Sequence, residues 1–365
     1  MLIPLFILLC FILVVVLFMK QPKFGKQPSG ETLQRIKNSG HYRKGAFQNL
    51  SVTPSLTGDA TYIKVLNDFL FKKNPNKKPP VTLPSHKTDL LHLAADKNIL
   101  VWFGHSSYFI QVNGMKILVD PVFSGAASPL AFTTPSFAGS DVYTSADMPE
   151  IDCLILTHDH WDHLDYQTLL QLKPKIRKIV TSLGVSAHLS RWGFDLARIT
   201  ELNWEEEIVL RPGFIARAAP ARHFSGRGFR RSQSLWSSFI LKTPGFNLFL
   251  GGDSGYDTHF KEIGARFGPF DLAILECGQY NPYWKHIHTS PEETVLAALD
   301  LRASCLLPVH WGKFTLAMHD WNEPPTRVLE AARKTELKLI TPLIGQEVNL
   351  NSIQPFNAWW ENIKA

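Results

Sequence analysis

The chain has 365 residues, 45% of them hydrophobic, with 24 Phe and 10 Trp, which suits one large α/β core or two modest ones and excludes a disordered chain. Four cysteines, Cys10, Cys153, Cys277 and Cys305, show no CxxC spacing and form no dense disulfide framework, so nothing demands an oxidising compartment. The net charge of +6 is uneven: residues 20–90 carry 13 Lys and Arg against 4 Asp and Glu, a balance of +9 that leaves −3 for the rest.

Taken from the N-terminus, Leu2 to Met19 reads LIPLFILLCFILVVVLFM, 18 apolar residues without a charge. As a helix they rise about 27 Å, against a bilayer core of roughly 30 Å, and so predict a transmembrane anchor over residues 1–20. A cleaved signal peptide is the rival reading, weakened by the missing basic n-region and the missing small-x-small site. Lys20, Lys23 and Lys26 follow at once, and the positive-inside rule then places the body on the cytoplasmic side of a membrane. Residues 21–90 read as a basic connector arm, with one short amphipathic helix in TYIKVLNDFLFKK and a Pro-rich break in NPNKKPPVTLP. No aromatic-basic RNA motif or helix-turn-helix signal accompanies this charge. The expected partner of the arm is therefore a membrane surface, and no nucleic acid is expected.

From about Asn98 the texture changes to short strand-like runs, NILVWFG, SYFIQV and MKILVD, the last two joined by the hairpin signal NG. Further strands are predicted at 152–156, 177–181, 213–219, 236–241, 246–250, 271–275 and 303–307. Helices are expected near 164–172, 184–191, 256–267, 291–300 and 325–334. Hairpins first and strand–helix alternation later predict a mixed sheet layered with helices, in one domain over residues 91–365.

The chemistry lies at the strand ends. In THDHWDH, His158 and His160 are two apart, so extended backbone points both to one side, where they converge on one metal ion. Asp162 and His163 come next and face a second ion. Imidazole and carboxylate suit zinc, with iron and manganese as alternatives. His223 in PARHFSG, Asp253 in LGGDSGY and His310 in LPVHWGKF each follow a predicted strand. Singly, each reads as an ordinary hydrogen-bonded residue; together, behind an HxHxDH loop, they read as a two-metal centre.

THDHWDHLD, GGDSGY and HWGKFTLAMHDWNEP resemble the metallo-β-lactamase superfamily of hydrolases, and VWFGHSSYFIQVNGMKILVDPVFSGAASP is similar to its branch of N-acylphosphatidylethanolamine-hydrolysing phospholipase D and ascorbate-phosphate lactonases. The resemblance covers about Leu91 to Arg327. It implies an α/β fold, an αββα sandwich, here preceded by the transmembrane helix. It implies that His158, His160 and His223 hold one zinc ion, that Asp162, His163 and His310 hold a second, and that Asp253 bridges them. Asp162, Asp253 and His288 are the candidate catalytic groups, His288 reading equally as a helix cap before Ser290.

Asp120 in ILVDP reads either as an acid orienting a ligand histidine or as a turn residue before Pro. His105 and His319 read as hydrogen-bonded structural residues. Arg227, Arg230 and Arg231 read as a solvated basic loop or as phosphate contacts. Lys313 departs from the family pattern, which more often has Thr there, and adds a positive charge beside the site.

The expected function is a membrane-anchored, zinc-dependent phosphodiesterase of phospholipase D type acting on a phospholipid, N-acylphosphatidylethanolamine or a related lipid. The alternatives are a tethered lactonase or phosphoesterase with a soluble substrate, and a non-catalytic interaction protein. The resemblance is also compatible with a homodimer.

Overall fold

The computed structural model describes residues 2–72 and 74–363; Met1 and Ala365, the outer limits of the expected domain division, lie outside them. The N-terminal part holds α1 (Leu2–Met19), α2 (Gly30–Lys37), a hairpin of β1 (Tyr42–Arg43) and β2 (Ala46–Phe47), and α3 (Tyr62–Phe71). After it the chain builds two seven-stranded sheets.

The first sheet takes β3 (Ile99–Trp102), β4 (Tyr108–Val112), β5 (Met115–Val119), β6 (Ile151–Leu156), β7 (Ile176–Ser182) and β8 (Ile199–Leu202). The second takes β9 (Glu207–Arg211), β10 (Phe214–Ala219), β11 (Ser238–Thr243), β12 (Phe246–Leu250), β13 (Leu272–Glu276), β14 (Cys305–Val309) and β15 (Lys338–Leu339). The chain then returns to the first sheet with β16 (Glu347–Asn349), giving the order β16-β3-β4-β5-β6-β7-β8, while the second runs β15-β14-β13-β12-β11-β10-β9. Each sheet starts with antiparallel hairpins and continues with parallel strands, the change falling at β5–β6 and at β12–β13. The NG turn closes the β4–β5 hairpin with Asn113 and Gly114 at φ 47° and 76°, the left-handed pair that a tight two-residue turn requires.

Helices α4 (Tyr166–Leu172) and α5 (Ser186–Arg191) cover the outer face of the first sheet, burying Leu169, Leu172 and Leu189 against Ile99, Val101, Leu118 and Leu154. Helices α6 (His259–Phe267), α7 (Pro291–Asp300) and α8 (Glu323–Ala332) cover the second through Phe260, Val295 and Val328. Between the sheets, Trp102, Ile110, Ile117, Phe239, Phe249, Ile274 and Leu306 form one core. The result is the expected αββα sandwich. The central parallel strands β6, β13 and β14 are buried almost throughout, which is why their sequences read as unbroken apolar runs.

One expectation is overturned. Among the described residues no helix is long and apolar enough to cross a membrane. At 18 residues, α1 stands at the short end of the range of about 17–25 residues that crosses a hydrocarbon core. The flank that a spanning helix leaves free in the headgroup layer is instead docked. The Phe18 and Phe24 rings meet at 5.2 Å, Phe24 lies 5.1 Å from Trp161 in the THDHWDH loop, and Arg191 donates to the Lys20 carbonyl at 2.8 Å. The transmembrane anchor, and the single-pass membrane placement with a cytoplasmic domain that depended on it, are corrected accordingly.

Candidate metal centre

Strand register explains why distant residues meet. Pairings Ile155↔Val180, Leu250↔Ile274 and Ile274↔Leu307 align the parallel strands, so the loops after β6, β12 and β14 open at the same end of the sandwich. His158, Asp253 and His310 leave from these ends, and His223 follows β10. The glycines before Asp253 allow the approach: a Cβ on Gly251 would lie 2.7 Å from the Ile274 carbonyl. His105, Asp120 and His310 carry φ of 52°, 40° and 68°, a concentration of left-handed backbone in non-glycine residues around one end of the sheets.

All seven predicted ligands come together, in two clusters. His158, His160, His223 and Asp253 place one ligand atom each within 4.8 Å of one another, and Asp162, His163 and His310 do so with His105. Asp253 faces both. Its Oδ1 is 3.2 Å from His163 Nε2 and 2.5 Å from His310 Nδ1, while Oδ2 is 3.6 Å from His223 Nε2 and 3.8 Å from His158 Nε2. One carboxylate thus presents an oxygen to each cluster, the arrangement a bridging ligand needs.

The donor set fits a pair of cations. His163 Nε2 is buried without a hydrogen bond, while its Nδ1 is 2.8 Å from Asp120 Oδ2. With Nδ1 donating to Asp120, Nε2 carries a lone pair directed among the carboxylates. Asp120 is fixed in turn by the Thr157 N–H at 2.9 Å and the Thr157 hydroxyl at 2.5 Å, so it orients His163 and is more than a turn residue. Burial holds His160 down to about 3, His223 to about 4 and His310 to about 3, so these imidazoles are neutral and free to donate lone pairs at neutral pH. Burial pushes the Asp253 carboxyl up, but the adjoining His163 and His310 rings, in contact with its Oδ1, outweigh burial and hold it well below its usual range.

The second-tier residues separate. His288 lines the same cleft as His160, Asp253 and His310, its Nδ1 2.5 Å from Glu276 Oε2; the cap of α7 is made by Ser290 and Glu293 instead. His105 Nε2 lies 2.9 Å from Asp162 Oδ2. His319 stays outside the clusters, accepting the Gln279 N–H at 2.8 Å. Arg227 corrects the solvated-loop reading: it is buried, stands 3.9 Å over Trp161, and donates to the carbonyls of Asp159, Leu164 and Lys23 at 2.9, 2.7 and 3.0 Å. Arg230 and Arg231 are exposed. Lys313 turns away from the cleft: its buried Nζ pairs with Asp141 at 3.0 Å and donates to the Val122 carbonyl at 2.9 Å.

Two residues escaped the sequence reading. Glu276 ends the buried β13, where an acid closing an apolar run was a usable signal. Asn49 gave none. It reaches over from the N-terminal arm, accepts the His223 N–H at 3.0 Å and donates to the His223 carbonyl at 2.8 Å, and its Oδ1 also accepts from Trp236 Nε1 at 3.2 Å. The amide holds this candidate ligand by both backbone groups.

Comparison with known proteins agrees with this geometry. The model of the beta-lactamase superfamily domain matches residues 115–311. An uncharacterised protein of Mycobacterium tuberculosis is 37% identical over 326 residues, 88% of this chain and 87% of its own. The N-acyl-phosphatidylethanolamine-hydrolyzing phospholipase D 1 of Caenorhabditis elegans is 30% identical over 296 residues, 77% of this chain and 82% of its own. Among solved structures, a metallo hydrolase of Ignicoccus hospitalis shares the fold with a TM-score of 0.53, at 23% identity over 69% of this chain and 97% of that one. The chain therefore belongs to the metallo-β-lactamase superfamily of metal-dependent hydrolases, and it resembles the branch that hydrolyses N-acylphosphatidylethanolamine.

Proposed function

We propose that the protein is a phosphodiesterase of phospholipase D type, using two zinc ions to hydrolyse N-acylphosphatidylethanolamine or a related lipid phosphodiester. The observation that carries the reading is the apolar mouth over the ligand clusters. A cleft of about 180 Å³ reaches His160, Asp162, Asp253 and His310, and Phe224, Trp284, Ile287 and Leu316 line its walls. A polar floor under apolar walls suits a charged diester carrying hydrocarbon chains, and is unnecessary for a small sugar lactone. Larger hollows open on either side, sharing His223, Phe224 and Ile287 with one and His288 with the other. Tyr62, Ile63, Leu66, Leu70 and Phe71 on α3 expose further apolar surface where lipid can be met.

Imidazole and carboxylate ligands suit zinc. When bound, the two ions supply Lewis acidity, activating water and neutralising phosphoryl charge. The residues do the rest. His158, His160 and His223 face one position; Asp162, His163 and His310 face the other; Asp253 spans both. Burial lowers His288, so its ring is neutral, and burial raises Glu276 well above the usual carboxyl range; a protonated Glu276 donating to Nδ1 leaves Nε2–H to hydrogen-bond the leaving oxygen without a buried charge. The full ligand set argues against a non-catalytic interaction protein.

The test is lipid mass spectrometry of metal-replete protein incubated with vesicles, beside a panel of phosphorylated sugar lactones. Phosphatidic acid and N-acylethanolamine are expected, and both are lost in His158→Ala and His310→Ala. Turnover of the lactones alone would leave the family assignment standing and remove the phospholipase one.

A further inference from the structure

The two hollows beside the cleft are similar in size but differ in charge. The hollow reached through His288, about 630 Å³, has balanced charge: Asp68, Glu293 and Glu323 against Lys72, Lys285 and Arg327. Arg327 is itself tied to Glu323 and Glu292 at 2.8 and 2.7 Å. The other hollow, about 690 Å³, lies between residues 43–55 of the N-terminal arm and the segment after His223. Arg43, Lys44 and Arg231 are the only charged groups among its lining residues, and no carboxylate lines it. None of the three cations has an ion-pair partner among the described residues; Arg43 Nε spends one donor on the Gly40 carbonyl at 3.2 Å, and the Arg231 guanidinium stands 4.8 Å from the Phe224 ring.

We infer that this second hollow is a subsite for another anionic group of the phosphate class, carried by the substrate on the side of the scissile diester away from the acyl-amide. Three uncompensated cations in a concave, partly apolar setting attract an anion more strongly than the same cations on a flat surface. The hollow shares His223, Phe224 and Ile287 with the metal cleft, so one molecule can occupy both. The Ser232 hydroxyl along the same lining adds a donor for a phosphate oxygen, whereas the Thr53 hydroxyl is spent on the Ser51 carbonyl at 2.9 Å. The preferred substrate class is thus a phosphodiester whose glycerol side bears a second phosphate. The inference rests on the phosphodiesterase reading for its orientation, and it adds a second phosphate where that reading names one.

The experiment uses full-length, metal-replete protein and two soluble probes, N-acetyl-glycerophosphoethanolamine and the same compound phosphorylated on the free terminal glycerol hydroxyl. Affinity is measured by calorimetry, and cleavage of each probe is followed separately by phosphorus NMR. The second phosphate should tighten binding by about tenfold, a gain that shrinks as salt is raised. Arg43→Ala combined with Arg231→Ala should erase the gain, and Lys44→Ala, an exposed residue with little to disturb in folding, should reduce it by itself. Inorganic phosphate added in excess should abolish the gain if the subsite reads phosphate alone. Equal affinity for the two probes, a gain that survives the double variant in folded protein, or no binding of either probe would overturn the subsite. Absence of cleavage with the affinity gain intact would overturn the phosphodiesterase reading and leave the subsite standing.

Discussion

The loops at the ends of the sheets and the N-terminal arm meet at one cleft, but they are held there by different physics. The loops after β6, β10, β12 and β14 are continuations of strands that carry the sandwich core, so their positions follow from register and from apolar burial. The arm is attached by a small apolar cluster, Ile36 and Phe47 on Leu183, Trp204, Leu235 and Trp236, and by individual side-chain to backbone hydrogen bonds. The candidate metal ligands therefore sit on loops anchored in the sandwich core, and one wall of the neighbouring hollow on an arm tied by fewer contacts. Substitutions in the two regions should differ in kind as well as in size.

The largest effect belongs to the loops. Asp253→Ala removes the carboxylate that faces both clusters, and should lower hydrolysis by on the order of 10³-fold with a fall in bound metal by elemental analysis. Its circular dichroism should stay that of the folded domain, since the sandwich core does not depend on it. Metal content unchanged in that variant would remove Asp253 from the bridge.

Asp120→Asn tests the next shell out. His163 Nδ1 would keep a neighbour but lose its charged acceptor, and metal affinity should fall by roughly 10–100-fold while the melting temperature changes little. A variant that melts early with normal metal affinity would make Asp120 a folding residue only.

Asn49→Ala carries the comparison to the arm. It strips both partners from the backbone of His223, worth about 1 kcal/mol for each hydrogen bond lost, and should cost about fivefold to tenfold in activity at limiting metal. Excess metal should restore much of that loss. An effect as large as that of Asp253→Ala would erase the distinction drawn between the two regions.

These residues also show what a sequence exposes and what it hides. THDHWDH was legible because three imidazoles and two carboxylates behind a buried strand are chemically conspicuous. His223, Asp253 and His310 were legible because each closes an apolar run. The five strands predicted between 152 and 250 fell within two residues of their expected ends, since buried strands and polar turns alternate cleanly there. The short edge strands β8, β9, β15 and β16 were missed: only Leu202 and Val348 among them are fully buried, so no apolar pattern marks them. Asn49 was invisible because one polar residue in a basic arm meets its partner 174 positions away only through the tertiary fold. The anchor failed for a related reason: hydropathy reads a segment alone, and the docking of Phe18 and Phe24 near Trp161 is a contact between distant segments.

The smallest effect concerns stability. Burial holds His259 at about 4 in the folded chain, against about 6.5 when unfolded. Above about pH 6.5 both states are neutral there and the residue has no pH-dependent effect. As pH falls below that value the unfolded chain takes up the proton first, so stability declines until the folded value near 4 is reached. At about pH 5.5 the loss should be about 1 kcal/mol, read as a fall in melting temperature of metal-replete protein. His259→Asn should flatten that part of the profile; an unchanged slope would place the acid sensitivity elsewhere.

The central claim, that this cleft hydrolyses a lipid phosphodiester at phosphorus, is tested most directly by isotope. Metal-replete protein is incubated with N-acylphosphatidylethanolamine vesicles in heavy-oxygen water, and both products are weighed by mass spectrometry. Attack at phosphorus predicts one heavy oxygen in the phosphatidic acid and none in the N-acylethanolamine. Heavy oxygen in the N-acylethanolamine, or no phosphatidic acid at all, would contradict the account.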